Sequence, residues 1–291
     1  MKNPWITLSC VRCIIINLEQ FYFCHTAVNG PTMFKAGSNF SLRLAQTQED
    51  QQAAQRLRYR VFVQELGGDG ALVDHTMQFE VDRFDTFFDH LVLIDERRSR
   101  ANLEHVVGVY RLLRSDQAAR AGQFYTEDEY QITALRNSGR NLLELGRSCV
   151  HPDYRGGTAM YQLWSGLAAY VIEHKIEILF GVASFHGSDL AALAGPLSIL
   201  HARHLAPPEL RVRAHDAGYQ TMDLLTTDRL DRRLAMLQMP ALIKAYLRLG
   251  GFVGDGAFID RAFNTTDVCL VMDTARMNPR YSGYYTSGAA R

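Results

Sequence analysis

The chain has 291 residues, of which 47% are hydrophobic and 21% are charged, and its formal net charge is zero. This length can bury a full core, and the charge balance argues against a protein that binds nucleic acid over its whole surface. No uncharged apolar run reaches the roughly 18 residues of a membrane-spanning helix. Five cysteines without a disulfide framework indicate a reducing compartment, so we expect a cytoplasmic protein.

Residues 1–32 differ from the rest of the chain, because they hold three of the five cysteines and a short apolar cluster. Cys10 and Cys13 form a CxxC pair, but a lone pair is weak evidence for zinc, and we predict no metal site. We expect residues 1–32 to be a poorly ordered extension that lies upstream of a candidate start at Met33. Residues 33–277 form one predicted domain, and 278–291 a flexible tail.

Hydrophobic periodicity predicts alternating helices and strands along this domain. Thr47 and Asp50 resemble a helix cap at the start of the first helix, and Pro240 is expected to interrupt the last helical segment. Helices are predicted over 47–65, 126–136, 160–172, 190–204 and 229–249, and strands over 90–94, 106–113, 142–150, 178–185, 212–225 and 268–272.

The chain is organised around residues 142–172, in which a strand leads through a glycine-rich loop into an amphipathic helix. Glu144 and Arg147 interrupt the apolar strand, and a charge there is costly unless it is matched or functional. Side chains three apart would face opposite sides of a regular strand, whereas a bulge at Gly146 would bring the two together. One interpretation is a buried salt-bridge network with Asp82 or Asp85. The other is catalytic, with Glu144 accepting a proton, directly or through a water, and Arg147 orienting the substrate.

The loop after this strand contains Arg155, Gly156, Gly157 and Thr158. A basic residue and glycines at a helix N-terminus favour a phosphate, because unpaired N–H groups and the helix dipole point at it. We therefore predict that a phosphate-bearing acyl carrier binds here. The alternative is an ordinary connection between strand and helix.

Several other side chains are candidates for chemistry. Asp82 and Asp85 suit an ammonium group or a metal ion, and we favour the ammonium because no standard metal-ligand spacing is present. Cys149 is a weaker candidate as a nucleophile, since it needs a histidine within reach, for which His151 is available. His201 and His204 are spaced as metal ligands, but we favour a partly exposed helix face.

Four short segments and one long one together resemble a known family: LRYRVFVQELG (57–67), VDRFD (81–85), ELGRSCV (144–150), HPDYRGG (151–157) and residues 239–277. The chain is similar to the long-chain acyl branch of the GNAT N-acyltransferase superfamily, and most similar to the bacterial L-ornithine N-alpha-acyltransferases. The resemblance implies an α/β (α+β) fold with a mixed, mostly antiparallel, V-shaped sheet flanked by helices.

The resemblance also implies an activity. Such an enzyme moves a long-chain 3-hydroxyacyl group from the phosphopantetheine of acyl carrier protein to the α-amine of L-ornithine. The product is lyso-ornithine lipid, in the first step of ornithine lipid biosynthesis. The expected partners are acyl carrier protein and L-ornithine, with peripheral contact with the inner membrane, and no cofactor is expected to stay bound.

The acyl-homoserine lactone synthases resemble this chain over the RYRVF, DRFD and ExxR pieces. That resemblance implies that six residues line the active site: Arg60, Phe62, Asp82, Asp85, Glu144 and Arg147. We expect backbone N–H groups from Ser148 to Val150 to polarise the thioester carbonyl. Thr158 and Met160 stand where the acetyl-CoA branch has small residues, which implies a carrier with a single phosphate.

Three alternatives stay open on the sequence. The chain resembles the acyl-homoserine lactone synthases in part, and such an enzyme would use S-adenosylmethionine. An acyltransferase of this kind could also take glutamine or lysine as its acceptor. A non-enzymatic protein that binds acyl carrier protein or lipid is the third.

Overall fold

The structure is a computed structural model that describes residues 39–226 and 228–277. The predictions for 1–32 and 278–291, including the cysteine pair, lie outside the described residues. Among the helices of the described ranges, none combines the length and the apolar character needed to cross a membrane.

The described residues form eleven strands. In chain order they are β1 (Phe40–Leu44), β2 (Asp89–Asp95), β3 (Val106–Arg114), β4 (Tyr130–Gln131), β5 (Leu142–Val150), β6 (Ile178–His186), β7 (Arg213–Ala214), β8 (Tyr219–Gln220), β9 (Phe252–Val253), β10 (Ala257–Asp260) and β11 (Thr265–Asp273).

Seven α-helices accompany these strands in the same ranges. They are α1 (Gln48–Arg58), α2 (Ser115–Ala121), α3 (Thr133–Asn137), α4 (Ala159–Glu173), α5 (Leu190–His204), α6 (Arg232–Gln238) and α7 (Ala241–Arg248). The chain continues from α1 into a π-helical turn (Tyr59–Glu65), and a short 3₁₀-helix (Tyr125–Asp128) follows α2.

The main sheet has nine strands, in the order β1-β2-β3-β5-β6-β11-β10-β8, and β9 also pairs with β11. All of its pairs are antiparallel except β5 with β6. This parallel pairing extends only from Leu142 opposite Ile178 to Glu144 opposite Phe180. Beyond it the two strands are no longer paired, which confirms the predicted mixed, V-shaped sheet.

Gly181 lies at the point where β5 and β6 separate. A Cβ atom added at this position would be 2.1 Å from the carbonyl oxygen of Leu145. Real Cβ atoms do not approach an oxygen this closely, so only glycine lets the two backbones meet here before they diverge.

Helices cover both faces of the sheet, because its strands are apolar on both sides. On one face, Leu163 of α4 and Tyr246 of α7 pack against Leu112 and Leu145. On the other face, Leu57 of α1 packs with strand residues in a second cluster, and residues around the 3₁₀-helix form a third. The predicted cap of α1 is confirmed, since Thr47 and Asp50 form a reciprocal capping box.

Three predicted elements differ from the structure. The helix predicted over 47–65 changes into the π-helical turn at Tyr59. The helix predicted over 126–136 is wrong, because this segment holds the 3₁₀-helix, β4 and α3 in succession. The strand predicted over 212–225 is only the two-residue strands β7 and β8, and β1, β9 and β10 were not predicted. Strands this short leave too few residues for alternation to show.

Candidate active site

A β-bulge in β5 positions the two charged residues of the ELGR segment. Gly146 pairs with Arg111 and Cys149 with Val109, so Arg147 and Ser148 together face the single residue Tyr110. Arg147 has the left-handed backbone conformation, with φ of 48°. Both Glu144 and Arg147 contact Tyr125 as a result. The predicted bulge is therefore present, immediately after Gly146.

Glu144 is buried and anchors the start of the 3₁₀-helix. One carboxylate oxygen accepts hydrogen bonds from the backbone N–H and the hydroxyl of Thr126, and the other accepts the N–H of Tyr125 at 2.7 Å. Burial raises the pKa of Glu144 to about 7, although these hydrogen bonds lower it. That pKa suits a proton acceptor, but both oxygens are already engaged within the protein. The geometry assigns Glu144 to holding this segment, and its proton-acceptor role stays a prediction.

Arg147 is enclosed by aromatic rings and acidic groups. Its guanidinium carbon lies 5.1 Å from the ring centre of Tyr125, 5.3 Å from that of Phe263 and 5.8 Å from that of Phe62. It donates to the Glu80 carboxylate at 3.1 Å and to the Tyr125 hydroxyl at 3.2 Å. Its side chain is 16% exposed, so Arg147 is partly accessible. Phe62 thus lies beside Arg147, and its role in substrate binding stays a prediction.

A network of arginines and carboxylates lies beneath Arg147. Arg58 pairs with Glu80, and Asp85 accepts from both Arg58 and Arg111 at 2.6 Å. Asp82 also pairs with Arg111 at 2.6 Å. Burial opposes the charge on Glu80, but Arg58 and Arg147 hold its pKa at about 2.

This network corrects two predictions. Asp82 and Asp85 already have guanidinium partners, so the geometry does not support the predicted ammonium or metal site, and the salt-bridge interpretation holds for Arg147. Arg60 is exposed, whereas Arg58 is fully buried. The helical spacing of Ala54, Leu57 and Arg58 places them on one buried face, and this signal was available in the sequence.

The segment after the bulge, residues 148–150, makes its contacts mainly within the protein. Ser148 is half-buried and leaves the regular ladder at the bulge. Val150 is buried, and its carbonyl accepts a hydrogen bond from Arg155 at 3.1 Å. The predicted polarisation of a thioester by N–H groups here stays a prediction.

The structure does not support the alternative in which Cys149 is a nucleophile. The thiol packs among apolar residues beside α1, and burial raises its pKa to about 12. His151 accepts the N–H of Asp153 through its Nδ1 atom at 3.3 Å. The Nδ1 atom of His201 lies 4.0 Å from the Oδ1 atom of Asp223. Within the described residues, His201 belongs to no group of three metal-ligating side chains.

A cluster of three carboxylates was not predicted from the sequence. Glu129 follows the 3₁₀-helix, Asp260 ends β10 and Asp267 lies in β11, and one oxygen from each lies within 4.8 Å of the others. Burial and the charge of Asp260 raise the pKa of Asp267 to about 6, although the hydroxyls of Ser184 and Thr265 lower it. Only the sheet topology brings these residues together, so no local pattern could have indicated them.

Arg147 lies near the three carboxylates. Burial raises the pKa of both Glu129 and Asp267, and the charge of Arg147 opposes this rise, which indicates that its guanidinium is close to both. Ser184 of β6 pairs with Asp267 across the sheet. Arg147 and the three carboxylates, which we call the charged site, therefore lie near the point where β5 and β6 separate, on the face that carries the 3₁₀-helix.

An apolar pocket lies between β5 and β6 on the opposite face, beneath α7. Tyr110 and Tyr246 contribute to its wall and share a hydrogen bond of 2.6 Å between their hydroxyls. The remaining lining residues are Leu145, Leu179, Phe180, Gly181, Val182, Ala183, Leu242, Leu270, Val271 and Met272.

The predicted phosphate loop borders a cavity of about 360 Å³ at the N-terminus of α4. Gly156 has a left-handed conformation there, with φ of 78°. Arg155 donates to both oxygens of the Glu65 carboxylate, at 2.5 and 2.7 Å. The loop has the predicted position, but its basic residue is paired with an acid.

An acetyltransferase (GNAT) domain model matches residues 57–165. Two solved structures align with most of the chain. One is FeeM, an N-acyl amino acid synthase from uncultured soil microbes, at 11% identity and a TM-score of 0.46, covering 81% of this chain and 94% of that one. The other is the AHL synthase LasI, at 14% identity and a TM-score of 0.46, covering 87% and 97%.

Curated relatives match over nearly the same span. The L-ornithine N(alpha)-acyltransferase of Rhodobacter capsulatus is 59% identical over 254 residues, which cover 87% of this chain and 97% of the relative. That of Brucella abortus is 44% identical over 255 residues, covering 87% and 91%. At this identity and coverage, the chain is an acyltransferase with the GNAT fold and belongs to the L-ornithine N(alpha)-acyltransferase family.

Proposed function

We propose that this protein transfers a long-chain 3-hydroxyacyl group from acyl carrier protein to the α-amine of L-ornithine. The amine nitrogen attacks the thioester carbonyl, the carbon–sulfur bond breaks, and an amide and the free carrier thiol result. The amine loses one proton in the process. The product is lyso-ornithine lipid, and the reaction is the first step of ornithine lipid biosynthesis.

The observation that carries this proposal is the charged site near the point where β5 and β6 separate, in a chain whose relatives are named for ornithine. Arg147 is partly exposed and suits the α-carboxylate of an amino acid, because a guanidinium pairs well with a carboxylate. Its aromatic neighbours restrict its orientation. A bound amino acid would then present its α-amine toward the gap between the strands.

The donor enters from the opposite face in this proposal. The apolar pocket beneath α7 has a volume of about 30 Å³, so it would have to widen to take the acyl chain and the pantetheine arm. The loop at residues 155–158 suits the single phosphate, since a helix N-terminus favours an anion. Arg155 would exchange Glu65 for this phosphate.

A peripheral contact with the inner membrane completes the proposal, because the product is an acylated amino acid with a long chain. The short helix α6 exposes two large apolar side chains, Leu234 at 53% and Leu237 at 63%. Exposed leucines on an amphipathic helix favour the membrane interface. We therefore propose that the cytoplasmic protein releases its product at this surface.

Mass spectrometry of the reaction products tests the proposal. The purified protein is incubated with 3-hydroxyacyl carrier protein and, separately, with L-ornithine, L-lysine, L-glutamine or S-adenosylmethionine. We expect N-acyl-ornithine together with an equal amount of free carrier thiol. A lactone formed only from S-adenosylmethionine, or no product despite carrier binding, would contradict the proposal.

A further inference from the structure

The carboxylates of Glu129, Asp260 and Asp267 come from three separate segments of the chain and converge on one point. One oxygen of each lies within 4.8 Å of the other two. The Oδ1 atom of Asp260 also accepts the backbone N–H groups of Ala262 and Phe263, which holds this carboxylate in place. The fold therefore keeps three carboxyl groups together, although burial and mutual repulsion raise the pKa of Glu129 and of Asp267.

Two of these side chains lack partners for part of their carboxylates. Glu129 is 7% exposed and Asp267 is 3% exposed. Within the described ranges, Oε2 of Glu129 and Oδ1 of Asp267 are buried and accept no hydrogen bond. Buried carboxylate oxygens without a donor are unfavourable, so their arrangement indicates a cationic ligand that supplies donors.

The neighbouring charges indicate which kind of ligand fits. The carboxylates below Arg147 are paired with guanidinium groups, whereas the three-carboxylate cluster has Arg147 as its nearby cation. The charged site thus combines a guanidinium with a buried acidic cluster, in which two carboxylate oxygens accept no hydrogen bond within the described residues. This layout complements an amino acid that carries a second ammonium at the end of its side chain.

We propose that Glu129, Asp260 and Asp267 bind the side-chain ammonium of the acceptor and select a diamino acid over a neutral one. The inference rests on the proposed use of ornithine and assigns the part of the site that recognises its far end. A primary ammonium has three donors, one for each carboxylate. A neutral side chain would leave the buried oxygens unpaired and is therefore rejected.

Acceptor discrimination tests the proposal. L-norvaline has the carbon skeleton of L-ornithine without the terminal amine. We expect the wild-type protein to prefer ornithine to norvaline by about 100-fold or more in kcat/KM. Asp267→Asn and Glu129→Gln should each reduce this preference by about tenfold or more, because the KM for ornithine rises. The kcat/KM for norvaline should not fall.

Glu209→Gln is the matched control, because Glu209 is an exposed carboxylate that pairs with Arg276 at a distance of 2.8 Å. This variant should leave the kcat/KM for both ornithine and norvaline unchanged. If Asp267→Asn lowered turnover of ornithine and norvaline equally, or left their ratio intact, the assignment would be overturned.

Calorimetric binding of L-ornithine without the donor separates this inference from the proposed function. If no acyl transfer occurs but the wild type binds ornithine and Asp267→Asn does not, the inference stands and the proposed reaction fails. If the wild type does not bind ornithine, the inference is overturned. The same follows if the cluster binds Mg²⁺, Mn²⁺ or Ca²⁺ in place of ornithine and Asp267→Asn abolishes that binding.

Discussion

Arg147 occupies a backbone conformation that an ordinary side chain adopts only at a cost. Its positive φ belongs to the bulge that turns its guanidinium toward the same segment as Glu144. The hydrogen bonds to Glu80 and Tyr125 and the surrounding rings stabilise this placement. The strained backbone of Arg147 therefore orients its guanidinium toward the charged site.

Asp267 should reduce stability at neutral pH, which can be measured apart from activity. Its pKa is raised from 3.8 to about 6 in the folded protein by burial and by the charge of Asp260. Between these values the folded state binds more protons than the unfolded state, so this contribution to stability is lost as the pH rises toward 6 and stays lost above it. Glu129, Asp260 and Arg147 are the charged groups that face it.

We therefore expect Asp267→Asn to be more stable than the wild type by about 1–3 kcal/mol at pH 8. The difference should shrink to well under about 1 kcal/mol near pH 4, where the aspartate is protonated in the folded state and only partly ionised in the unfolded state. Urea denaturation at the two pH values measures it. A variant that is less stable at pH 8, or a difference independent of pH, would show that the carboxylate is matched within the protein.

Site residues could be predicted from the sequence where they interrupt a local pattern or match a family motif. Glu144 and Arg147 were found because charges interrupt an apolar strand, and Phe62 through the family resemblance. Glu129, Asp260 and Asp267 could not be found, since they stand in unrelated local contexts and meet only through the pairing of β10, β11 and β6. Arg58 was missed in favour of Arg60, although the buried face of α1 distinguishes them.

At the scale of elements, the loop before α4 combines two opposing features. A helix N-terminus and Arg155 favour a phosphate, whereas Glu65 neutralises Arg155 and would repel it. If the loop binds the carrier's phosphate, Glu65 competes with that phosphate. The two side chains of this ion pair should then act on carrier binding in opposite directions.

We expect Arg155→Ala to raise the Kd for acyl carrier protein about tenfold, through loss of a charge-assisted hydrogen bond. Glu65→Gln should lower the Kd, because the competitor loses its charge. Fluorescence anisotropy with labelled carrier protein measures both, and carrier lacking its phosphopantetheine is the control, for which neither variant should change the Kd. If both variants raised the Kd, or both lowered it, the assignment of the loop as a phosphate site would be contradicted.

The long elements were predictable and the short ones were not. Strands β2, β3, β5, β6 and β11 bury most of their residues and read as apolar runs, and α5 was predicted with its observed bounds. The segment over 126–136 had no such signal, because hydrogen bonds from its backbone to Glu144 shape it more than its own periodicity does. Tertiary contacts override local preference there.

At the scale of the whole molecule, β5 and β6 are no longer paired beyond Glu144 and Phe180. The apolar pocket lies on the face covered by α4 and α7, and the charged site lies on the other. In the proposed reaction, a thioester from one face and an amine from the other would meet where the strands are unpaired. The family resemblance predicted the splayed sheet, while the three-carboxylate cluster required the structure.

The proposed binding mode predicts which nitrogen reacts. If Arg147 binds the α-carboxylate and the three carboxylates bind the terminal ammonium, the α-amine is the nucleophile and the terminal amine stays protonated and bound. The most direct test is fragmentation mass spectrometry of the product formed from L-ornithine and 3-hydroxyacyl carrier protein. We predict an amide at the α-nitrogen with a free terminal amine. A product acylated at the terminal nitrogen would contradict this account of the charged site.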